Sequence, residues 1–255
     1  MEDLSRTILG VIIGAIVLYY LIKSKFVRTA LTIGILILMV VICKDDPGMI
    51  IVLGVILVSM TLHELMHGFV AYKLGDDTAK LSGRLTLNPL KHLDPVYSVI
   101  LPLMMFIMGG TVFGGAKPVP VNSRNLKGKE WGMALVAVAG PLTNLVIAFV
   151  MFMVRFFLIK NLGDLNEIVD LVLSYFVMVN LGFAVFNMIP IPPLDGSRIL
   201  YAIAPDGFRN IMNRMEMFGI WIVYGLIMIF GSAFSMIISG GVNGILNFFY
   251  WIVGL

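Results

Sequence analysis

Met60-Thr61-Leu62-His63-Glu64-Leu65-Met66-His67-Gly68 stands inside an otherwise apolar run from Met49 to Tyr72. If that run is helical, His63 and His67 are one turn apart on one face. Two imidazoles at that spacing can bind one divalent metal, and zinc suits them best. Glu64 is turned by about 100° from His63. It is placed to take a proton from a metal-bound water. The competing reading is a chance pattern of buried, simply hydrogen-bonded histidines. The setting argues against it, because a Glu and two His within an apolar run are costly unless something compensates them. Two of the three His in the whole chain also fall in this one pattern.

The rest of the composition agrees with a membrane setting. Of 255 residues, 59% are hydrophobic and 13% charged, with mean hydropathy +0.98. A soluble domain is nearer half apolar and a quarter charged. The apolar runs are too long for strands, so the expected fold is an all-α polytopic membrane protein. A net charge of +3 points to basic loops rather than to nucleic acid. The single cysteine, Cys43, excludes an internal disulfide. Met1 to Arg6 carries two acids and one base, which is not the pattern of a cleavable signal. No polar stretch is long enough to suggest an appended soluble domain.

Taken in order, Ile8 to Ile22 and Ala30 to Cys43 read as a helical hairpin, extended by Lys23, Lys25 and Arg28. Lys44 to Gly48 is the turn before the His63 helix. Val96 to Met108 is apolar but short for a span, with basic flanks and a glycine-rich sequel. It reads as a re-entrant or interfacial segment followed by a short extended hairpin through Lys117-Pro118-Val119-Pro120-Val121, a further span being the rival. Trp131 to Leu158, Val169 to Ile189 and Phe218 to Ile238 are spans. Gly240 to Leu255 spans or lies in the interface. The expected architecture is therefore about six transmembrane helices. An N-terminal hairpin (1–48) and a catalytic membrane core (49–204) are followed by C-terminal membrane helices (205–255).

With the N-terminus outside, fourteen of the eighteen Lys and Arg fall on the inner side. That bias sets the orientation. It places His63 and His67 in the inner half of their helix. Asn144 and Asp195 come to the same depth, near the cytosolic face of what is expected to be a prokaryotic inner membrane.

A catalytic zinc site needs a third protein ligand and one open position. Asp195 is the acid that stands out. It follows Pro190-Ile191-Pro192-Pro193, which cannot continue a regular helix. Broken backbone at membrane depth is tolerated where it lines an enclosed cavity. The rival role for Asp195 is an N-cap of the helix from Arg198 to Ile203, and the two roles are compatible.

The chain at this point resembles the site-2 protease family of intramembrane zinc metalloproteases. The residues that carry the resemblance are His63-Glu64-x-x-His67 in one membrane helix and Asn187-x-x-Pro190 with Leu194-Asp195-Gly196 in a later one. Gly140-Pro141-x-x-Asn144 lies between them. The short form, with Asn88-Pro89 and His92-x-Asp94-Pro95, is similar to a compact prokaryotic branch. The later motif departs from the usual spacing, with Pro193 before Leu194 and the asparagine displaced to Asn187.

The resemblance implies one Zn²⁺ per chain and cleavage of transmembrane protein substrates within the lipid bilayer. Glu64 then serves as general base. Asn187 either donates to a developing oxyanion or makes a helix-end hydrogen bond. The Lys117 to Val121 segment either pairs with an unwound substrate as an added strand or is a solvated loop. His92 is a transient metal ligand, a substrate contact or a loop anchor. Arg155 is expected as a snorkelling interface anchor. Two rival functions remain: an intramembrane metal-binding or transport protein, which would not need Glu64, and a catalytically silent scaffold. The sequence names no substrate, no oligomeric state and no nucleic-acid partner.

Overall fold

The structure, a computed structural model, describes residues 47–94 and 116–255. The expected N-terminal hairpin and the expected re-entrant segment at Val96 to Met108 lie outside the described residues. The described residues form seven α-helices: α1 Pro47–Lys73, α2 Thr78–Leu81, α3 Lys129–Leu162, α4 Glu167–Asn187, α5 Gly196–Ile203, α6 Asp206–Met217 and α7 Ile220–Ile252. No strand occurs among them, so the expected extended hairpin is not a paired ladder there. Residues 116–122 are irregular chain that ends at a 3-10 turn, Ser123–Asn125.

The chain divides into two compact units. One comprises Met1–Ile50 and Leu90–Pro118, the other Ile51–Pro89 and Val119–Leu255. In the described part of the first, the Lys117 N–H donates to the His92 carbonyl at 2.8 Å, and the His92 side chain is buried. The remainder of this subsection concerns the second unit.

Four helices are long and apolar enough to cross a membrane: Ile50–Lys73, Lys129–Leu162, Glu167–Asn187 and Trp221–Ile252. On α3, the exposed residues Leu135, Leu142, Val146, Val150 and Val154 recur at helical spacing and form one apolar stripe. A stripe of that kind faces lipid in an integral membrane protein. The small residues Gly132, Ala137, Ala139, Gly140 and Ala148 of α3 are buried. Small residues allow helix backbones to approach closely. Ala148 and Phe152 of α3 pack with Val177 and Leu181 of α4 and with Val242 and Phe249 of α7.

Two expectations change. Phe218 to Ile238 and Gly240 to Leu255 do not divide at residues 239–240: α7 runs through that point and is kinked instead at Phe230, whose backbone is non-helical. Gly240-Gly241 does not break it. A Cβ on Gly241 would lie 2.7 Å from Val185 Cγ1, so this glycine serves close packing of α7 on α4. Arg155 is not merely an interface anchor. Its Nε and Nη2 donate to Asp170 Oδ1 and Oδ2 at 2.8 and 3.1 Å, a two-point pair tying α3 to the start of α4.

Beyond α1, Gly75 takes φ +102°, a left-handed value that ends the helix at low cost. The turn that follows is organised by Asp76, which is fully buried. Its Oδ1 accepts from the Thr78 N–H, the Thr78 hydroxyl and Asn125 Nδ2, and its Oδ2 from the Asn122 N–H at 2.6 Å. Burial alone would raise the Asp76 carboxyl. The bonds from Thr78, Asn122 and Asn125 outweigh it and hold the carboxyl below its ordinary value. This knot fixes the 122–125 turn against the C-terminal end of α1.

Candidate metal centre

His63 and His67 lie on the buried side of α1, as the four-residue spacing requires. Their rings meet edge to face with centroids 4.6 Å apart. The third residue arrives from a different part of the chain. Helix α4 ends at Asn187, and the proline-rich turn reverses the chain into α5. Gly196 makes that reversal possible. A Cβ there would collide with the Met188 carbonyl group, so the start of α5 can fold directly onto the end of α4. Asp195 occupies the N-cap position of α5 but makes no side-chain capping bond. The capping role is thus not taken up, and its carboxylate turns to the histidines.

The three side chains converge closely. His63 Nε2 and His67 Nε2 are 3.0 Å apart. They lie 3.2 and 3.3 Å from Asp195 Oδ2. In a tetrahedral zinc site with ligand distances near 2.0–2.1 Å, neighbouring ligand atoms are about 3.3–3.4 Å apart. The observed triangle is within a few tenths of an ångström of that shape. Among the described residues, this is the one cluster of three or more His, Cys, Asp or Glu whose ligand atoms come this close. His92 belongs to the other unit.

The hydrogen bonds behind the three side chains bear on whether the cluster fits a metal. His67 Nδ1 lies 2.7 Å from the Val136 carbonyl, a group that can only accept. His67 therefore carries a proton on Nδ1, and when neutral it turns a lone pair at Nε2 toward the centre. His63 Nδ1 is 2.5 Å from Asn144 Oδ1. Asp195 Oδ2 is buried and receives no donor. Lone pairs aimed at one point with no proton between them repel unless a cation sits there. The donor set thus fits a divalent metal, with nitrogen and oxygen ligands and buttressed imidazoles.

Space is kept open by Gly140. A Cβ at that position would lie 2.5 Å from His67 Nε2 and 2.6 Å from His63 Nε2. Only glycine lets α3 pass this close to both ligand nitrogens. Pro141, next to it, removes the N–H that would have reached the Ala137 carbonyl.

Glu64 is buried beside the histidines but is not among the converging ligands. Its Oε2 accepts the Val119 N–H at 2.8 Å. The irregular segment before the 3-10 turn therefore orients the carboxylate. Asn187 is half-buried, and its Nδ2 donates to the Phe183 carbonyl at 3.1 Å, which is the helix-end alternative. The sequence reading placed Asn144 at the right depth without a role. It missed Asn180 and Ser59, each fully buried, which continue the polar chain behind His63 across three helices. Their signal was present, since uncharged polar residues inside apolar helices need partners.

Comparison with known proteins points the same way. The model of peptidase family M50 matches residues 50–167 and 159–232. A candidate zinc metalloprotease of Bacillus subtilis, YwhC, is 42% identical over 168 residues, covering 64% of this chain and 74% of its own. The candidate zinc metalloprotease Rip2 of Mycolicibacterium smegmatis is 33% identical over 149 residues, covering 58% of this chain and 54% of its own. The zinc metalloprotease MJ0392 of Methanocaldococcus jannaschii is 28% identical over 179 residues, covering 70% of this chain and 42% of its own. No solved structure matches the chain. With the family model spanning His63, Glu64, His67 and Asp195 alike, the chain belongs to peptidase family M50, the site-2 protease family, and is a metalloprotease.

Proposed function

We propose that this protein is an intramembrane zinc metalloprotease that hydrolyses peptide bonds of membrane-spanning proteins near the cytosolic face. The observation that carries the reading is the convergence of His63 Nε2, His67 Nε2 and Asp195 Oδ2 to within 3.0–3.3 Å of one another, beside a buried carboxylate, Glu64, that stays out of the cluster.

One Zn²⁺ would be held by these three residues, and when bound it lowers the pKa of a water and polarises a carbonyl. Everything else is the work of the chain. Glu64 takes a proton on its carboxylate and returns it to the leaving amine. The Val119 N–H occupies one of its lone-pair sites and holds the group in place, leaving others for that proton. Asn187 spends one amide hydrogen on Phe183 and has a second with which to donate to a developing oxyanion. Gly140 prevents α3 from filling the space over the two imidazoles.

The test is cleavage of single-span substrate proteins by the purified protein in detergent, before and after zinc chelation and re-addition. Cleavage that follows zinc supports the reading. A protein that binds zinc and cuts none of a broad substrate panel would favour a metal carrier. Orientation is tested separately, with single cysteines at Lys91 and Lys127 in a chain with Cys43 replaced. Both are expected to be labelled from the cytosolic side, and labelling from opposite sides would overturn the topology of about six spans.

A further inference from the structure

We infer that Asn144 and Asn180 are positioning residues that lock His63 in the tautomer a metal ligand needs, with their polarity set by one backbone carbonyl. The inference rests on the metal-centre reading above.

The argument starts at the far end of the chain of bonds. Asn180 Nδ2 lies 2.8 Å from the Phe176 carbonyl, one turn back on α4, and 2.8 Å from Ser59 Oγ on α1. Which end of an amide is nitrogen is decided by its partners. The Phe176 carbonyl can only accept, so the end of Asn180 facing it must be NH₂. Its other end is then oxygen, and this oxygen faces Asn144 at 2.7 Å. That fixes the facing end of Asn144 as NH₂ in turn. The oxygen of Asn144 is thereby presented to His63 Nδ1 at 2.5 Å. An acceptor at that distance demands a proton on Nδ1. Neutral His63 then has its lone pair on Nε2, directed at His67 Nε2 and Asp195 Oδ2.

Each step excludes its alternative. Turning over Asn144 would set its NH₂ against His63 and its oxygen against the oxygen of Asn180. Turning over Asn180 would set its oxygen against the Phe176 carbonyl. All three side chains behind His63 are fully buried, so no water can relieve either mismatch. The carbonyl of Val136 performs the same task for His67 directly. For His63 no carbonyl is near, and the two amides carry the polarity across from α4.

The experiment measures zinc affinity of the purified full-length protein by competition with a chromophoric chelator, and does not depend on turnover. Asn144→Leu removes the acceptor, and Asn180→Leu frees Asn144 to turn over. Each should weaken zinc binding on the order of 10- to 100-fold, the usual effect of losing a partner behind a metal-bound histidine. Asn144→Asp keeps an oxygen for Nδ1 but sets its other oxygen against Asn180 Oδ1 in place of a donor, so its zinc affinity should fall between those of wild type and Asn144→Leu. A merely space-filling role predicts the reverse order, because the aspartate buries a charge and the leucine does not. Ser59→Ala leaves the Phe176 carbonyl in command and should change little. Wild-type affinity in both leucine variants, or a loss in Asn144→Asp as deep as in Asn144→Leu, would overturn the inference. If the leucine variants do not fold, ¹⁵N spectra of labelled histidine in the metal-free wild type decide it, since a proton on His63 Nε2 rather than Nδ1 would overturn it. A wild type that binds no zinc defeats the metal reading instead, and the same spectra still judge the tautomer.

Discussion

Two carboxylates, the fully buried Asp76 and the half-buried Asp195, have opposite surroundings in one molecule. Asp76 is wrapped by donors from Thr78, Asn122 and Asn125, and every one of its close polar neighbours gives it a hydrogen. Asp195 has an oxygen that receives none and faces two imidazole nitrogens. A carboxylate solvated by the protein's own N–H and O–H groups is a structural fastener. A carboxylate left unsolvated among other acceptors is unstable alone and becomes useful only with a cation. What separates them chemically is their neighbours.

The comparison can be broken most severely at Asp195. Asp195→Ala is expected to remove most bound zinc and all proteolysis while the helices stay folded, as read by metal analysis and circular dichroism. Full zinc stoichiometry in that folded variant would take Asp195 out of the ligand set. Gly140→Ala should come next. Its added methyl would sit between 2.5 and 2.6 Å from the ligand nitrogens. Zinc content should fall steeply although alanine favours the helix.

At Asp76 the expected effect is of another kind. Asp76→Asn sets an amide nitrogen against N–H donors and should cost about 2 kcal/mol of stability, by thermal unfolding in detergent, with zinc affinity unchanged. A loss of zinc without a loss of stability would contradict the division drawn here. The smallest effect is in acid. The folded-state pKa of Asp76 lies below its ordinary value of 3.8. The stability it contributes is therefore present above that value and is lost as pH falls through the lower, folded-state pKa. Asp76→Asn should flatten that acid limb, and a limb identical to wild type would assign it to other groups.

Much of the site was legible in the sequence because its chemistry is local. The spacing of His63, Glu64 and His67 encodes a face of a helix. Asp195 is marked by the prolines that precede it. What was not legible depends on packing between helices. Asn180 reads as an ordinary polar residue until α1, α3 and α4 bring it to Asn144 and Ser59. Gly240-Gly241 reads as a break, yet the helix runs through it and Gly241 instead gives Val185 room to pack. Arg155 finds Asp170 only after the turn between α3 and α4 closes. Asp76 carried no motif, because beyond Thr78 its partners are Asn122 and Asn125, which lie 46 and 49 residues on.

The central claim is that the ligands and the base are separate: His63, His67 and Asp195 hold the metal, and Glu64 moves the proton. Glu64→Gln keeps the shape and can still accept from Val119, but it is a very poor base. The decisive measurement is zinc content beside turnover of a single-span substrate, wild type against Glu64→Gln. The account predicts unchanged zinc with turnover lower by about two to four orders of magnitude. Near-normal cleavage by the variant, or loss of its zinc, would contradict it.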